Sequence, residues 1–203
     1  MFEDALVDWN FWGNFEIDYI DREMDLEKYL AKGVATILYG VRRSGKSFLA
    51  YGTLKKLIEK GLNPEKTLIV NFEDPRIRNA KLGDLPKILE DYNKLTGEKK
   101  PIIVLDEIQN IKGWESFVRY LLDNKKLEVI VTGSSSKLMS REYETALTGR
   151  HISKHVFPLS FREFLRFKGV EIKNELDILK NRAKIKKLFE EFMAVSYTHL
   201  TLP

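Results

Sequence analysis

The stretch that most limits what this chain can fold into is residues 34–48. A β-branched apolar run from Val34 to Tyr39 leads directly into GVRRSGKSF, which fits G-x-x-x-x-G-K-[ST] with Gly40, Gly45, Lys46 and Ser47 at the fixed positions. Such a loop needs a strand before it and a helix after it, and both are readable here. Gly40 and Gly45 let the backbone curl so that successive N–H groups face phosphate oxygens. Val41, Arg42, Arg43, Ser44 and Phe48 complete the segment expected to wrap the phosphates. Lys46 is expected to bridge the β- and γ-phosphates, and the Ser47 hydroxyl to ligate Mg²⁺. The helix that starts there adds its positive end. Arg42 and Arg43 are expected to face solvent or phosphate without a catalytic role. Kinases, GTPases and mechanical ATPases share this loop, so the rest of the chain must decide among them.

Strands and helices alternate along that rest. Phe48, Leu54, Leu57 and Ile58 mark one helix face, closed by Gly61 and Pro64. TLIVNF (67–72) reads as a second strand. Leu85, Ile88, Leu89 and Tyr92 recur at i, i+3, i+4 and i+7, with Gly97 ending that helix. PIIVL (101–105) is a third strand, followed by a helical stripe through Trp114, Phe117, Val118, Leu121 and Leu122. LEVIVTG (127–133) is a fourth strand, 136–147 a helix, and HVFPL (155–159) a fifth strand. Apolar strands separated by helices predict a parallel sheet covered on both faces, a three-layer α/β/α architecture.

Bulk properties exclude several classes. With 34 basic and 30 acidic residues the net charge is +4, a mild basicity that permits nucleic-acid binding without arguing for it. The absence of cysteine rules out disulfides and thiolate metal sites and fits a reducing compartment. MFEDALVDWNFW carries acidic residues where a signal peptide would be basic, and no apolar run approaches membrane-spanning length. The expectation is a cytoplasmic protein with no membrane segment.

PIIVLDEIQ narrows the chemistry. An apolar strand ending in Asp106 delivers a carboxylate to Mg²⁺ from just outside the groups that touch the ion, as in P-loop proteins generally. Glu107, one residue beyond, is placed to orient and polarise a water for in-line attack on the γ-phosphate. A kinase must exclude that water, so the Asp-Glu pair favours hydrolysis; the bland alternative is a pair capping the next helix. A GTPase would read guanine through N-K-x-D, and the near match NKLT (93–96) lacks the Asp.

GVRRSGKS, VLDEIQNIKGWE, VTGSSSKLMSRE, LTGR and FPLSFREF together resemble the archaeal-type AAA ATPases, a group within the AAA+ and STAND-like P-loop proteins. The likeness runs from about Val7 to Phe167. It implies a mainly parallel five-stranded sheet of order 5-1-4-3-2, ATP as nucleotide and hydrolysis as the reaction. It also implies that Ser134 is a γ-phosphate sensor and Asn71 a polar switch restraining Glu107. Arg150 would be an arginine finger acting in trans on a self-associated neighbour. Asn71 is equally able to cap the turn into EDPR, and Arg150 to pair with Glu142 or Glu144. The alternative to a hydrolysing ATPase that drives change in an attached or partner domain is a nucleotide-dependent DNA-binding or regulatory module with little turnover.

The expected organisation is an N-terminal aromatic arm and helix (1–32), an ATPase core (33–160), the start of a helical lid (161–194) and a tail (195–203). Trp9, Phe11, Trp12 and Phe15 are expected to pack as a satellite core against the ATPase or a following domain, the alternative being a partner-binding patch. TGEKKP (96–101) is only a loop, and His151 and His155 lack a third metal ligand. From Val195 onward the tail carries no Lys, Arg, Asp or Glu, and the helical stripe through Leu176, Leu179, Leu188 and Phe192 stops without a cap. Back-translated, VSYTHLTLP resembles one frame of a transposon-end adapter used in sequencing libraries. The tail is therefore expected to be a read-through product that packs poorly, with the natural frame cut near Ala194, the lid incomplete and turnover reduced; the bland alternative is a genuine disordered terminus.

Overall fold

The computed structural model describes residues 1–134 and 147–200, the last six of these for their backbone alone. The helix expected at 136–147 lies almost wholly outside the described residues. Two compact units emerge. The first comprises Met1–Tyr19 and Asp25–Phe157, the second Ile20–Met24 and Pro158–Pro203.

The first unit is built on five strands, β1 (Ala35–Gly40), β2 (Thr67–Asn71), β3 (Ile102–Asp106), β4 (Glu128–Ser134) and β5 (His151–His155). They form one sheet of order β2-β3-β4-β1-β5, and every pairing is parallel. This is the predicted order, read from the other edge. Because side chains alternate across a strand, each inner strand feeds both faces. Ala35, Ile37, Leu68, Val70, Ile103, Leu105, Val129 and Val131 join one apolar cluster. Helices α1 (Glu3–Trp9), α3 (Leu85–Thr96) and α4 (Trp114–Tyr120) cover that face. Leu38, Ile69, Val104 and Ile130 are the buried alternates, and α2 (Lys46–Glu59) packs on β1, β3 and β4 with Leu49 and Leu54 buried.

Two predictions need correction. The fifth strand is His151–His155 rather than 155–159. Pro158 cannot donate to a ladder, and the true strand is a half-buried edge whose HISKH pattern is too polar to read as a core strand. Phe48 does not share a buried face with Leu54; it is 52% exposed. The first half of α2 is buried on more than one side, because the N-terminal arm also lies on it. The Tyr19 ring fills the space a side chain at Gly52 would need, with a Cβ built there only 1.9 Å from Tyr19 Cδ2.

The arm also closes the β2 edge. The Asn10 amide behaves as a short piece of strand: its Nδ2 donates to Ile69 O at 2.9 Å, and its Oδ1 accepts from Ile69 N at 2.6 Å. Trp12 Nε1 donates to Thr67 O at 3.0 Å. An exposed edge with free N–H and C=O groups is thereby covered. Trp12 packs against the main apolar cluster, so the aromatic residues of the arm form part of the first unit.

The second unit contains α5 (Phe161–Phe167), α6 (Glu175–Lys180) and α7 (Arg182–Leu200). Ser160 and Glu163 cap α5 reciprocally, and the Glu163 carboxylate additionally accepts from Arg22 Nε at 2.7 Å and Glu23 N at 2.8 Å. Leu165, Val170 and Leu188 form its small core with Phe161, Phe164, Ile172 and Ile185. The α7 backbone runs past Ala194 to Leu200, since no Gly or Pro interrupts it there.

Candidate functional site

The site lies at the carboxyl ends of β1, β3 and β4, where strand ends and a helix start converge. Gly40 closes β1, and a Cβ built there would sit 2.3 Å from Val156 O, so no side chain fits. Gly45 has φ +87° and initiates α2 from a left-handed conformation. Arg43 also has positive φ, +65°, an unusual conformation for a residue with a side chain. Val41, Arg42, Arg43 and Phe48 are exposed around the loop, whereas Ser44 and Lys46 are buried. Lys46 is 4% exposed, and its ammonium donates to Gly40 O at 3.2 Å and Val41 O at 3.0 Å. The cation therefore sits inside the curl of the loop.

Asp106 is the other pole. Ser47 Oγ donates to Asp106 Oδ1 at 2.8 Å, which brings together the two residues expected to hold magnesium. Two hydroxyls not anticipated from the sequence join them. Thr132 of β4 donates to the same Oδ1, and Tyr51 of α2 donates to Oδ2 at 2.5 Å. The Tyr51 hydroxyl is raised well above its ordinary pKa, first by burial and then by the negative charge of Asp106. The donor set of one serine hydroxyl and one carboxylate is hard oxygen, which suits Mg²⁺, an ion that takes few protein ligands and completes its shell with water and phosphate.

Glu107 adopts φ +56°, ψ +37°, left-handed and strained for a non-glycine residue. Its N–H donates to Thr132 Oγ1 at 3.1 Å, and its side chain makes no helix-cap bond to the turn at Ile108–Asn110. Gln109 Nε2 donates to the Glu107 carboxylate. Asn71 lies opposite Asp106 in the β2–β3 register, but its Oδ1 accepts from Glu73 N at 2.9 Å, the turn-capping arrangement. Ser134 ends β4 in register with Gly40, beside the loop.

Arg150 is not brought to this site. Its carbonyl accepts from Ala35 N at 2.8 Å, at the opposite end of β1 from Gly40, about 17 Å away at ~3.3 Å per strand residue. Its Nε lies 3.2 Å from Asp123 Oδ1, while Glu142 and Glu144 lie outside the described residues. His155 lies tilted against Tyr39 and edge-on to Phe157, with ring centroids 5.1 and 4.1 Å away.

Of the residues missed from sequence, Tyr51 had the clearest signal, since i, i+4 spacing from Ser47 puts it on the same face of α2. Thr132 and Gln109 had none beyond proximity to the motifs.

The sequence pattern of the family described as an AAA domain matches residues 32–165. The chain belongs to the AAA domain family. It is 32% identical over 197 residues to an uncharacterised protein of Methanocaldococcus jannaschii, covering 95% of this chain and 41% of that one. It is also 33% identical over 162 residues to an uncharacterised protein of Haemophilus influenzae, covering 77% and 37% respectively. The chain thus spans about two fifths of the length of these curated relatives. Among solved structures, the C. elegans PCH-2 structure superposes with TM-score 0.43 at 18% identity, covering 70% of this chain and 42% of that one. This AAA domain is an AAA-type P-loop protein of nucleotide-binding, ATPase-like character. No helix among the described residues is long and apolar enough to cross a membrane.

Proposed function

We propose that this AAA domain binds ATP with Mg²⁺ and hydrolyses it to ADP and phosphate, the cycle driving a conformational change in an attached or partner region. The observation that carries this reading is the backbone of Glu107. A glutamate held at φ +56° one residue beyond Asp106, with its N–H donated to Thr132 Oγ1 and its side chain capping no helix, supports a positioned base rather than a helix cap.

In this reading the loop N–H groups and Lys46 bind the β- and γ-phosphates, with the Lys46 ammonium exchanging the carbonyls of Gly40 and Val41 for phosphate oxygens. Ser47 and Asp106 would hold the magnesium ion, whose contribution is to neutralise phosphate charge. Glu107 orients a water and takes its proton as the water oxygen attacks the γ-phosphorus and the bond to the β-phosphate oxygen breaks. Gln109, donating to the Glu107 carboxylate, holds the base in place until the water arrives. Ser134, beside Gly40, is the candidate γ-phosphate sensor.

The test is ATP turnover and ATP binding in Glu107→Gln. Binding is expected to persist while hydrolysis falls by on the order of 10²-fold or more, the range for loss of a general base. Unchanged turnover in that variant would leave Glu107 a structural residue and remove the basis for hydrolysis at this site.

A further inference from the structure

Asp106 is gripped from both sides, and the grip on Oδ2 leads out of the site. Tyr51 is 4% exposed, and its hydroxyl lies 2.5 Å from Asp106 Oδ2. Its ring meets Phe15 edge-on, with centroids 5.5 Å apart at 86°, and lies 6.4 Å from Trp9. Phe15 and Trp9 are themselves in contact at 5.6 Å. Trp9 is anchored at its far end, where Nε1 donates to Asp74 Oδ2 at 2.8 Å. A buried tyrosine needs a partner for its hydroxyl, but a backbone carbonyl would serve that purpose. Here the partner is the carboxylate that also receives Ser47. The ring packs against two residues of the N-terminal arm.

We propose that Tyr51 is a positioning residue for Asp106, and that the N-terminal aromatic arm, by seating the Tyr51 ring, tunes the affinity of the nucleotide site for magnesium. The hydroxyl fixes the carboxylate's rotamer, so that the oxygen shared with Ser47 keeps one direction. If the arm shifts, the ring shifts, and Asp106 loses that constraint. The arm is then a built-in control on metal-dependent nucleotide binding, available to anything that displaces residues 9–15. The proposal rests on the reading of Asp106 as the magnesium carboxylate.

The experiment uses the full chain and a fluorescent ATP analogue, titrated first in EDTA and then with increasing Mg²⁺. Tyr51→Phe keeps the ring and removes the hydroxyl. It is expected to bind the analogue without metal within about twofold of the unsubstituted chain. It should require about tenfold more Mg²⁺ for half-maximal enhancement, the lower end of losses seen when a group supporting a metal ligand is removed. Phe15→Leu, which leaves the hydroxyl in place and loosens the ring, should shift the Mg²⁺ requirement in the same direction. That second variant decides the question if Tyr51→Phe shows no cooperative thermal transition. An unshifted Mg²⁺ requirement in a folded Tyr51→Phe, or in Phe15→Leu, overturns the proposal alone. Asp106→Asn is the control for the underlying reading: if it too leaves the Mg²⁺ requirement unchanged, the magnesium-site assignment fails and takes this proposal with it.

Discussion

Lys46 and Asp74 show two ways in which one charged side chain is held. The Lys46 ammonium is buried against two carbonyls of its own loop, a lodging that phosphate oxygens can replace. Lys46→Ala is expected to abolish ATP binding, because it removes the cation proposed to bridge the β- and γ-phosphates from inside the loop. Calorimetric titration checks this, and retained micromolar affinity would count against the phosphate role. Asp74 serves structure instead. Its carboxylate receives Arg76 Nε at 3.0 Å, Arg76 Nη2 at 2.8 Å and Trp9 Nε1 at 2.8 Å. The Arg76 bonds above all hold its pKa well below the usual carboxylate range, with Trp9 helping. A depressed folded pKa contributes stability that is present above the unfolded value near 3.9 and is lost as pH falls below it. Asp74→Asn should therefore melt lower than the unsubstituted chain at pH 7, and the gap should shrink as pH drops from about 5 toward 2.5. A gap that stays constant across a series of melts would remove Asp74 from the acid response.

At the scale of elements, the β2 edge depends on one amide. Asn10 exchanges two hydrogen bonds with Ile69 and donates to Leu6 O, all buried. Asn10→Ala would leave the Ile69 N–H and C=O without these partners, at roughly 2–4 kcal/mol for two buried backbone groups. Urea unfolding measures this directly, and a loss below about 0.5 kcal/mol would mean that the edge finds other partners. None of this was visible in the sequence, because the pairing joins residues 59 apart and an asparagine near a helix end reads as a cap. What was visible were features whose geometry is local. The glycine loop, the strand ending in Asp106 and the α3 stripe each carry their own spacing, and each stands where the sequence placed it. The edge strand β5 was misplaced because half-burial dilutes its apolar signal. Phe48 was misassigned because a helix packed on more than one side has no single stripe. Tyr51 and Thr132 escaped notice because a buried tyrosine or threonine reads the same whether it fills space or holds a carboxylate.

For the whole molecule, Arg150 poses the question of assembly. Its place at the far end of β1 means that it can meet phosphates only on another copy, if it meets them at all. An inactive Arg150→Ala protein mixed with an inactive Glu107→Gln protein should recover some turnover if the site forms between copies. No recovery despite measured association would leave Arg150 as the partner of Asp123. The sheet order carries a different consequence. Strand β1 stands between β4 and β5, so Ala35 pairs with Val129 and with His151, whereas Thr67 needs only Ile102. Closing a longer loop costs more chain entropy, and a nascent chain leaving the ribosome has made β1 long before either of its neighbours exists. The β2–β3–β4 ladder can zip first, and β1 is seated afterwards. The phosphate loop is thus synthesised ahead of both strands that seat β1, so nucleotide bound to the finished domain stabilises it by mass action.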